Sequence, residues 1–440
     1  MPPLEIWGGY ECTVNRIGDT WRDQTRLSGH QDRIEDLDLF ASLGIKSVRY
    51  PVLWERTELE PGRYDWSWAD ARLGRLRELG VRPIVGLVHH GSGPAWTNLL
   101  DPGFAEGLAD FAGQAARRYP WVRDWTPVNE PLTTARFSAL YGHWYPHHRD
   151  ERDFWRALIH QLEATRGAMK AIRAVNPEAR LIQTEDFGRT WGTEPCAEQA
   201  AHENARRLAT WDILTGRLTE GHPLWTHLED LNVVGLETFK DDPCPPDVLG
   251  LNHYVTSDRF LDHRLEHYPA HAHGGNGVLD YADVEAVRVV ENLSDGWSDC
   301  MSLLWDGYSL PIAVTECHLG CTPDEQVRWL EGCWEAAIEA RRQGAEIEAI
   351  TPWAMLGSHD WDSLLTSSKG SYESGVFDVS SGTPQPTPLA TLVRQLAIDG
   401  APDRNVADVS GWWREPGRLA YPAWSLSRPI MSRGRLAGAN

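Results

Sequence analysis

The chain has 440 residues, 41% hydrophobic and 24% charged, an ordinary globular make-up whose length admits two or three average domains or one long α/β barrel. Its 63 acidic residues against 42 basic ones give a formal charge of −21, which repels polyphosphates and anionic lipid surfaces, so neither nucleic acid nor a membrane is an expected partner. The stretch Met1-Pro2-Pro3-Leu4-Glu5 has no basic segment before an apolar run, no stretch reaches bilayer length, and seven irregularly spaced Cys make no disulfide framework, which points to a reducing, cytoplasmic setting. Most of the 22 Trp are expected in packing, although flat aromatic faces also suit a pocket that stacks on sugars.

Short β-rich apolar runs alternate with segments of helical period, the pattern of strands joined by crossover helices. Eight strands are predicted, near Ile6–Tyr10, Ser47–Val52, Pro83–His89, Asp124–Asn129, Arg180–Thr184, Val248–Asn252, Ile312–Glu316 and Ala349–Trp353. After the first, Ile34, Leu37, Phe40, Ala41 and Leu43 recur at three- and four-residue spacing, and Gly44 follows where a left-handed cap is needed. The seventh helix should begin with Thr322 as N-cap, Pro323 at the first helical position and Glu325 at the capping-box position, and end at Gly344. Thr387 to Ala397 can form a closing helix, and a Gly-, Pro-, Arg- and Trp-containing tail follows from about Asp399. The expected architecture is a single (β/α)8 TIM barrel over residues 1–398, with 399–440 as a short C-terminal extension packing on or near it.

In such a barrel the site forms at the C-terminal ends of the strands. The polar residues there are Tyr10-Glu11, Arg49, His89-His90, Asn129-Glu130-Pro131, Thr184-Glu185-Asp186, Asn252-His253-Tyr254, Thr315-Glu316, and Trp353 leading to His359-Asp360-Trp361. Glycosidic cleavage needs one carboxyl to protonate the leaving oxygen and a second to attack the anomeric carbon or activate water. Glu130 and Glu316, at the mouths of strands four and seven, can supply both. Either one alone reads equally well as a solvated strand end.

Several motifs run in order from about Trp7 to Val379: Val48-Arg49-Tyr50 with Trp54, Leu87-Val88-His89, Trp125-Thr126-Pro127-Val128-Asn129-Glu130-Pro131, Leu249-Gly250-Leu251-Asn252-His253-Tyr254, Ile312-Ala313-Val314-Thr315-Glu316, and Trp353 with Trp361. This series resembles glycoside hydrolase family 1, the β-glucosidase family. The resemblance implies a retaining β-glycosidase working through a covalent glycosyl-enzyme, with Glu316 as nucleophile and Glu130 as acid/base. It places Glu11, His89, Asn129, Asn252, Tyr254, Trp353, Asp360 and Trp361 at the substrate, with Asn129 on the 2-hydroxyl. Arg49 and Tyr254 would donate to Glu316, and a guanidinium lowers a carboxyl pKa and so keeps it ionised. An ionised Glu316 would in turn favour a protonated Glu130. The partner implied is a β-glycoside or oligosaccharide, no metal or cofactor is implied, and the oligomeric state is left open.

The chain departs from the family at Glu11 in place of Gln, at Asp360 in place of Glu, at His90 in place of Trp, and at Cys317-His318 in place of Asn-Gly. An ionised carboxylate accepts hydrogen bonds but does not donate them, so the glycone need not be glucose. A transglycosylase using the same pair and a non-catalytic sugar-binding barrel stand as alternatives. Cys317, Cys321 and His318 read as structural rather than metal-binding. Glu185 and Asp186 read as substrate contacts or as helix-start residues, and His143, Trp144, His147 and His148 as an aglycone-bordering loop. Gly411-Trp412-Trp413 through Arg428-Pro429-Ile430-Met431 is similar to a connector that joins some barrels of this type to a sugar-nucleotide reductase domain, but no Gly-rich dinucleotide loop follows and no redox activity is expected.

Overall fold

The computed structural model describes residues 2–294, 296–402 and 410–426. Eight parallel strands form a closed barrel: β1 (Glu5–Gly9), β2 (Ser47–Pro51), β3 (Arg82–His89), β4 (Asp124–Asn129), β5 (Arg180–Asp186), β6 (Val248–His253), β7 (Ile312–Cys317) and β8 (Ile347–Pro352). Each pairs with its neighbours in sequence, and β8 closes on β1 through Glu5 opposite Ala349 and Ile6 opposite Ile350. The expected (β/α)8 barrel is the observed fold.

One end of the barrel interior is plugged by Trp7, Ile84, Ile182, Val248, Ala313 and Ala349, an apolar layer with one residue from each of six strands. Toward the C-terminal ends of the strands the buried side chains turn polar, with Arg49, Asn129 and Glu316 among them. That change of character puts the chemistry at one mouth and the packing at the other. Register shifts fall between Leu251 and Asn252 where β6 meets β7, and between Val314 and Cys317 where β7 meets β8. Such bulges re-aim the side chains beside them, here Asn252 and Glu316. At the end of β1, a Cβ on Gly9 would lie 2.5 Å from the Trp353 ring, so only glycine lets that indole sit over the mouth.

The helix Pro323–Arg342 starts after Thr322 as expected, but the capping box is not made. The Thr322 side chain forms no cap bond, and Glu325 instead pairs with Arg328 at 2.9 Å and accepts from the Trp412 amide at 3.3 Å. A feature the sequence did not announce is a four-stranded sheet inserted between β5 and β7, ordered Thr190–Gly192, Arg259–Asp262, Asp280–Glu285, His273–Gly275. It has its own small core of Phe260, Ala282, Val284, Val289 and Val290, against which Tyr421 and Trp424 of the C-terminal segment pack. In that segment Arg418 donates to the carbonyls of Val287 (2.9 Å), Val290 (2.7 Å) and Glu291 (2.9 Å), and Trp413 meets Trp329 edge to face at 5.0 Å. The stretch Arg428-Pro429-Ile430-Met431 lies outside the described residues. Among the described residues no helix is long and apolar enough to cross a membrane.

Candidate active site

Glu130 follows the last residue of β4 and has a left-handed backbone, φ 44°, before Pro131 opens the helix Pro131–Ala135. Its Oε1 accepts from Asn252 Nδ2 at 2.5 Å, and the amide is oriented by the Thr315 hydroxyl, which donates to Asn252 Oδ1 at 2.6 Å. Glu316 sits on β7 and is held at both oxygens: Arg49 donates to Oε1 at 2.8 Å and the Tyr254 hydroxyl donates to Oε2. The other arm of the Arg49 fork donates to Asn129 Oδ1 at 2.5 Å, tying β2 to β4 as well as to β7. Both carboxyls are buried and both line one cavity of about 430 Å³.

Their electrostatics differ. Burial raises the pKa of Glu316, and Arg49 and Tyr254 oppose the rise. The expectation that the guanidinium would hold this carboxyl low is therefore corrected, because loss of water outweighs one well-placed cation. Burial also pushes Glu130 well above the ordinary carboxyl value, and the charges of Glu316, Asp186 and Glu185 add to it, with only the Asn252 hydrogen bond pulling back. Of the two, Glu130 is the one whose charged form is disfavoured by burial and by neighbouring carboxyls together, and Glu316 the one offered cationic and phenolic support.

Glu11, Tyr254, Trp353 and Trp361 line the cavity with the two carboxyls. Glu11 is braced by the Thr13 amide at 2.9 Å and the Trp353 indole N–H at 3.1 Å, and burial raises its pKa. The other four residues expected at the sugar lie off the wall. His89 stacks flat on Trp353, ring centres 5.5 Å apart, and reaches Asn129 Nδ2 at 3.3 Å. Asn129 has its oxygen occupied by Arg49 and by the Thr184 hydroxyl at 2.8 Å. Asn252 is the donor that holds Glu130, so it is a positioning residue rather than a sugar contact. Asp360 is taken up by its own loop, accepting from the Lys369 and Ser371 amides at 3.0 and 3.1 Å; its shorter side chain caps backbone instead of reaching the cavity.

Glu185 is fully buried and accepts from the amides of Leu132 (2.9 Å) and Thr133 (3.2 Å) and the hydroxyl of Thr210 (2.7 Å), which makes it the anchor of the helix that Glu130 begins; Asp186 lines the cavity. None of His143, Trp144, His147 and His148 reaches the wall. Trp144 is buried against His90, and the His147 ring accepts from the Gly18 amide at 2.8 Å. None of the seven cysteines is joined in a disulfide.

Several wall residues have no role assigned from the sequence, although His90 and His318 stand there as departures from the family pattern. His90, itself left-handed at φ 55°, places Nε2 3.7 Å from Glu130 Oε2, and burial drops its pKa to about 3, so the ring is neutral. His318 pairs with Glu373 at 2.8 Å, and Arg288 and Trp412 come from segments remote from any barrel strand. Collecting strand ends cannot find the last two. One group with metal-ligand chemistry, Glu151, His202 and His227, stands apart, and none of the three lines the cavity.

No family model matches the chain. It is 22% identical over 406 residues to a 6-phospho-β-glucosidase of Dickeya chrysanthemi, covering 80% of each chain. It is also 22% identical over 431 residues to β-glucosidase 47 of Arabidopsis thaliana, covering 88% of this chain and 78% of the relative. Among solved structures, the family 1 β-glucosidase of Thermotoga maritima superposes with a TM-score of 0.69 at 17% identity, over 92% of this chain and 99% of that one. Taken with the ordered strand-end motifs and the closed barrel, these relatives make the chain similar to the β-glucosidases of glycoside hydrolase family 1, at an identity that sets it well apart from them.

Proposed function

We propose that the chain is a retaining β-glycosidase that hydrolyses a neutral β-glycoside by double displacement. The observation that carries this reading is the unequal support of two buried carboxyls facing one cavity: Glu130, its pKa raised by burial and by neighbouring carboxyls, and Glu316, braced by Arg49 and Tyr254. Glu316 attacks the anomeric carbon while Glu130 passes its proton to the leaving oxygen; Glu130 then takes a proton from water as that water displaces Glu316. The oxygen that forms the new bond loses its charge, and the donor on the other oxygen, Arg49 on Oε1 or Tyr254 on Oε2, holds the carboxyl in place.

The relative named for a phosphorylated substrate raises a charged glycone as a second reading. The wall argues for the neutral one: Glu11, Asp186, Glu285, Glu316 and Glu373 face the cavity with Arg288 as the single guanidinium among the described lining residues, and a phosphate there would meet mostly like charge. The test combines a screen and two variants. Aryl β-glycosides differing only in the sugar, with and without a 6-phosphate, identify the glycone. On the best of them Glu316→Ala and Glu130→Ala should each lose about 10³-fold or more in kcat, and azide should restore turnover to Glu316→Ala with inverted product. Wild-type activity in Glu316→Ala ends the assignment, and preference for the 6-phosphate ends the neutral reading.

A further inference from the structure

Part of the cavity wall is supplied by chain that belongs to no barrel strand. Trp412 lines it from the C-terminal segment, and Arg288 lines it from the turn after the inserted sheet, with the guanidinium 4.4 Å from the indole centre. The frame behind this pair is tightly built. Arg418, 7% exposed, bonds three carbonyls of the stretch 287–291, the Ala420 amide bonds the Arg288 carbonyl at 3.0 Å, and Trp424 and residues 289–291 exchange backbone bonds at 2.9 and 3.0 Å. The Trp412 amide is tied to Glu325 at the head of a barrel helix. Backbone carbonyls saturated by a buried guanidinium do not fray, so Trp412 and Arg288 are presented rigidly, as a binding contact requires. A solvated tail has no need of such anchoring.

We propose that Trp412 and Arg288 form the leaving-group subsite, and that its ligand is a glycoside whose leaving group is itself a ring, either a second sugar or an aryl group, stacked on the indole. The inference rests on the glycosidase reading. Both kinds of ring offer a flat C–H or π face to an indole, and sugar hydroxyls can also accept from Arg288. Trp412 shares the cavity with Glu130, whose proton goes to the oxygen joining the two halves of the substrate, so a ring on that oxygen is within the same enclosure as the indole. A fluoride or methyl leaving group has no face to stack.

The test is kcat/KM of the full chain and of Trp412→Ala on four substrates sharing the glycone that the screen selects: the fluoride, the methyl glycoside, the phenyl glycoside and a disaccharide. Trp412→Ala should lose about tenfold on at least one of the two ring substrates and less than about twofold on the fluoride, with part of the loss recovered in Trp412→Phe. Whichever ring arm falls further names the natural class. Arg418→Met, which touches only backbone, should show the same selectivity in weaker form. If Trp412→Ala does not fold, Trp412→Phe and Arg288→Met carry the same comparison. Equal losses on all four substrates, or none on either ring substrate, overturn the subsite alone. A wild type inactive on all four overturns the parent activity and the subsite together.

Discussion

Glu130 and Glu316 are the same side chain in two surroundings, and single donor atoms separate them. Glu316 has an Arg49 nitrogen on one oxygen and the Tyr254 hydroxyl on the other; Glu130 has one amide and three neighbouring carboxyls. A pH profile should report the difference. The proposed mechanism needs Glu316 ionised and Glu130 protonated, so kcat/KM should rise as pH passes the pKa of Glu316 and fall as it passes that of Glu130. Since burial raises both groups, both limbs should lie above the ordinary glutamate value, and in Glu130→Gln, assayed with an activated aryl leaving group, the alkaline limb should vanish. An unmoved alkaline limb in that variant would assign it to another residue. At this scale the sequence was readable where residues stand at strand ends in a recognisable local setting, as both carboxyls, Arg49 and Tyr254 do. It was unreadable where the decisive neighbour is remote: Asn252 lies 122 positions from Glu130, and nothing around Asp360 states that its carboxylate is claimed by amides nine and eleven residues on.

A short helix follows Glu130, the proposed acid/base, and one buried carboxylate holds the start of that helix. Glu185 accepts from the Leu132 and Thr133 amides of the first turn of Pro131–Ala135, which have no helical partner; Pro131 has no amide hydrogen, and the Thr134 amide bonds the Glu130 carbonyl at 2.9 Å. Glu185→Ala should therefore strand two buried donors at a cost of about 1–3 kcal/mol each, lowering the melting temperature and lowering kcat more than KM, because Glu130 loses its fixed position while the glycone wall is untouched. Glu185→Gln should recover part of both losses. A variant with normal kcat would show that the helix is held by other contacts. The sequence disclosed the barrel strands because each is a buried apolar run with its turn signals. The inserted sheet escaped because its strands are short, and His273-Gly274-Gly275 carries no alternation to read. The expected capping box failed for a related reason: Glu325 stands at the correct spacing, yet a segment 87 positions away takes up its oxygen.

Across the described residues, apolar material fills one end of the barrel and acidic groups gather at the other, where buried carboxyls stand in one another's field. The left-handed turn at Glu130 adds to that tension. A side chain with φ 44° costs about 1–2 kcal/mol relative to the ordinary helical region, and here the same residue also carries a carboxyl deprived of water. Glycine meets neither penalty. Glu130→Gly should consequently melt above Glu130→Ala and no lower than wild type, while being inactive; calorimetry on the three proteins decides it, and a Gly variant less stable than Ala would remove the strain argument. Directed evolution for heat resistance, run on this scaffold without an activity gate, would then drift toward discarding its own proton donor.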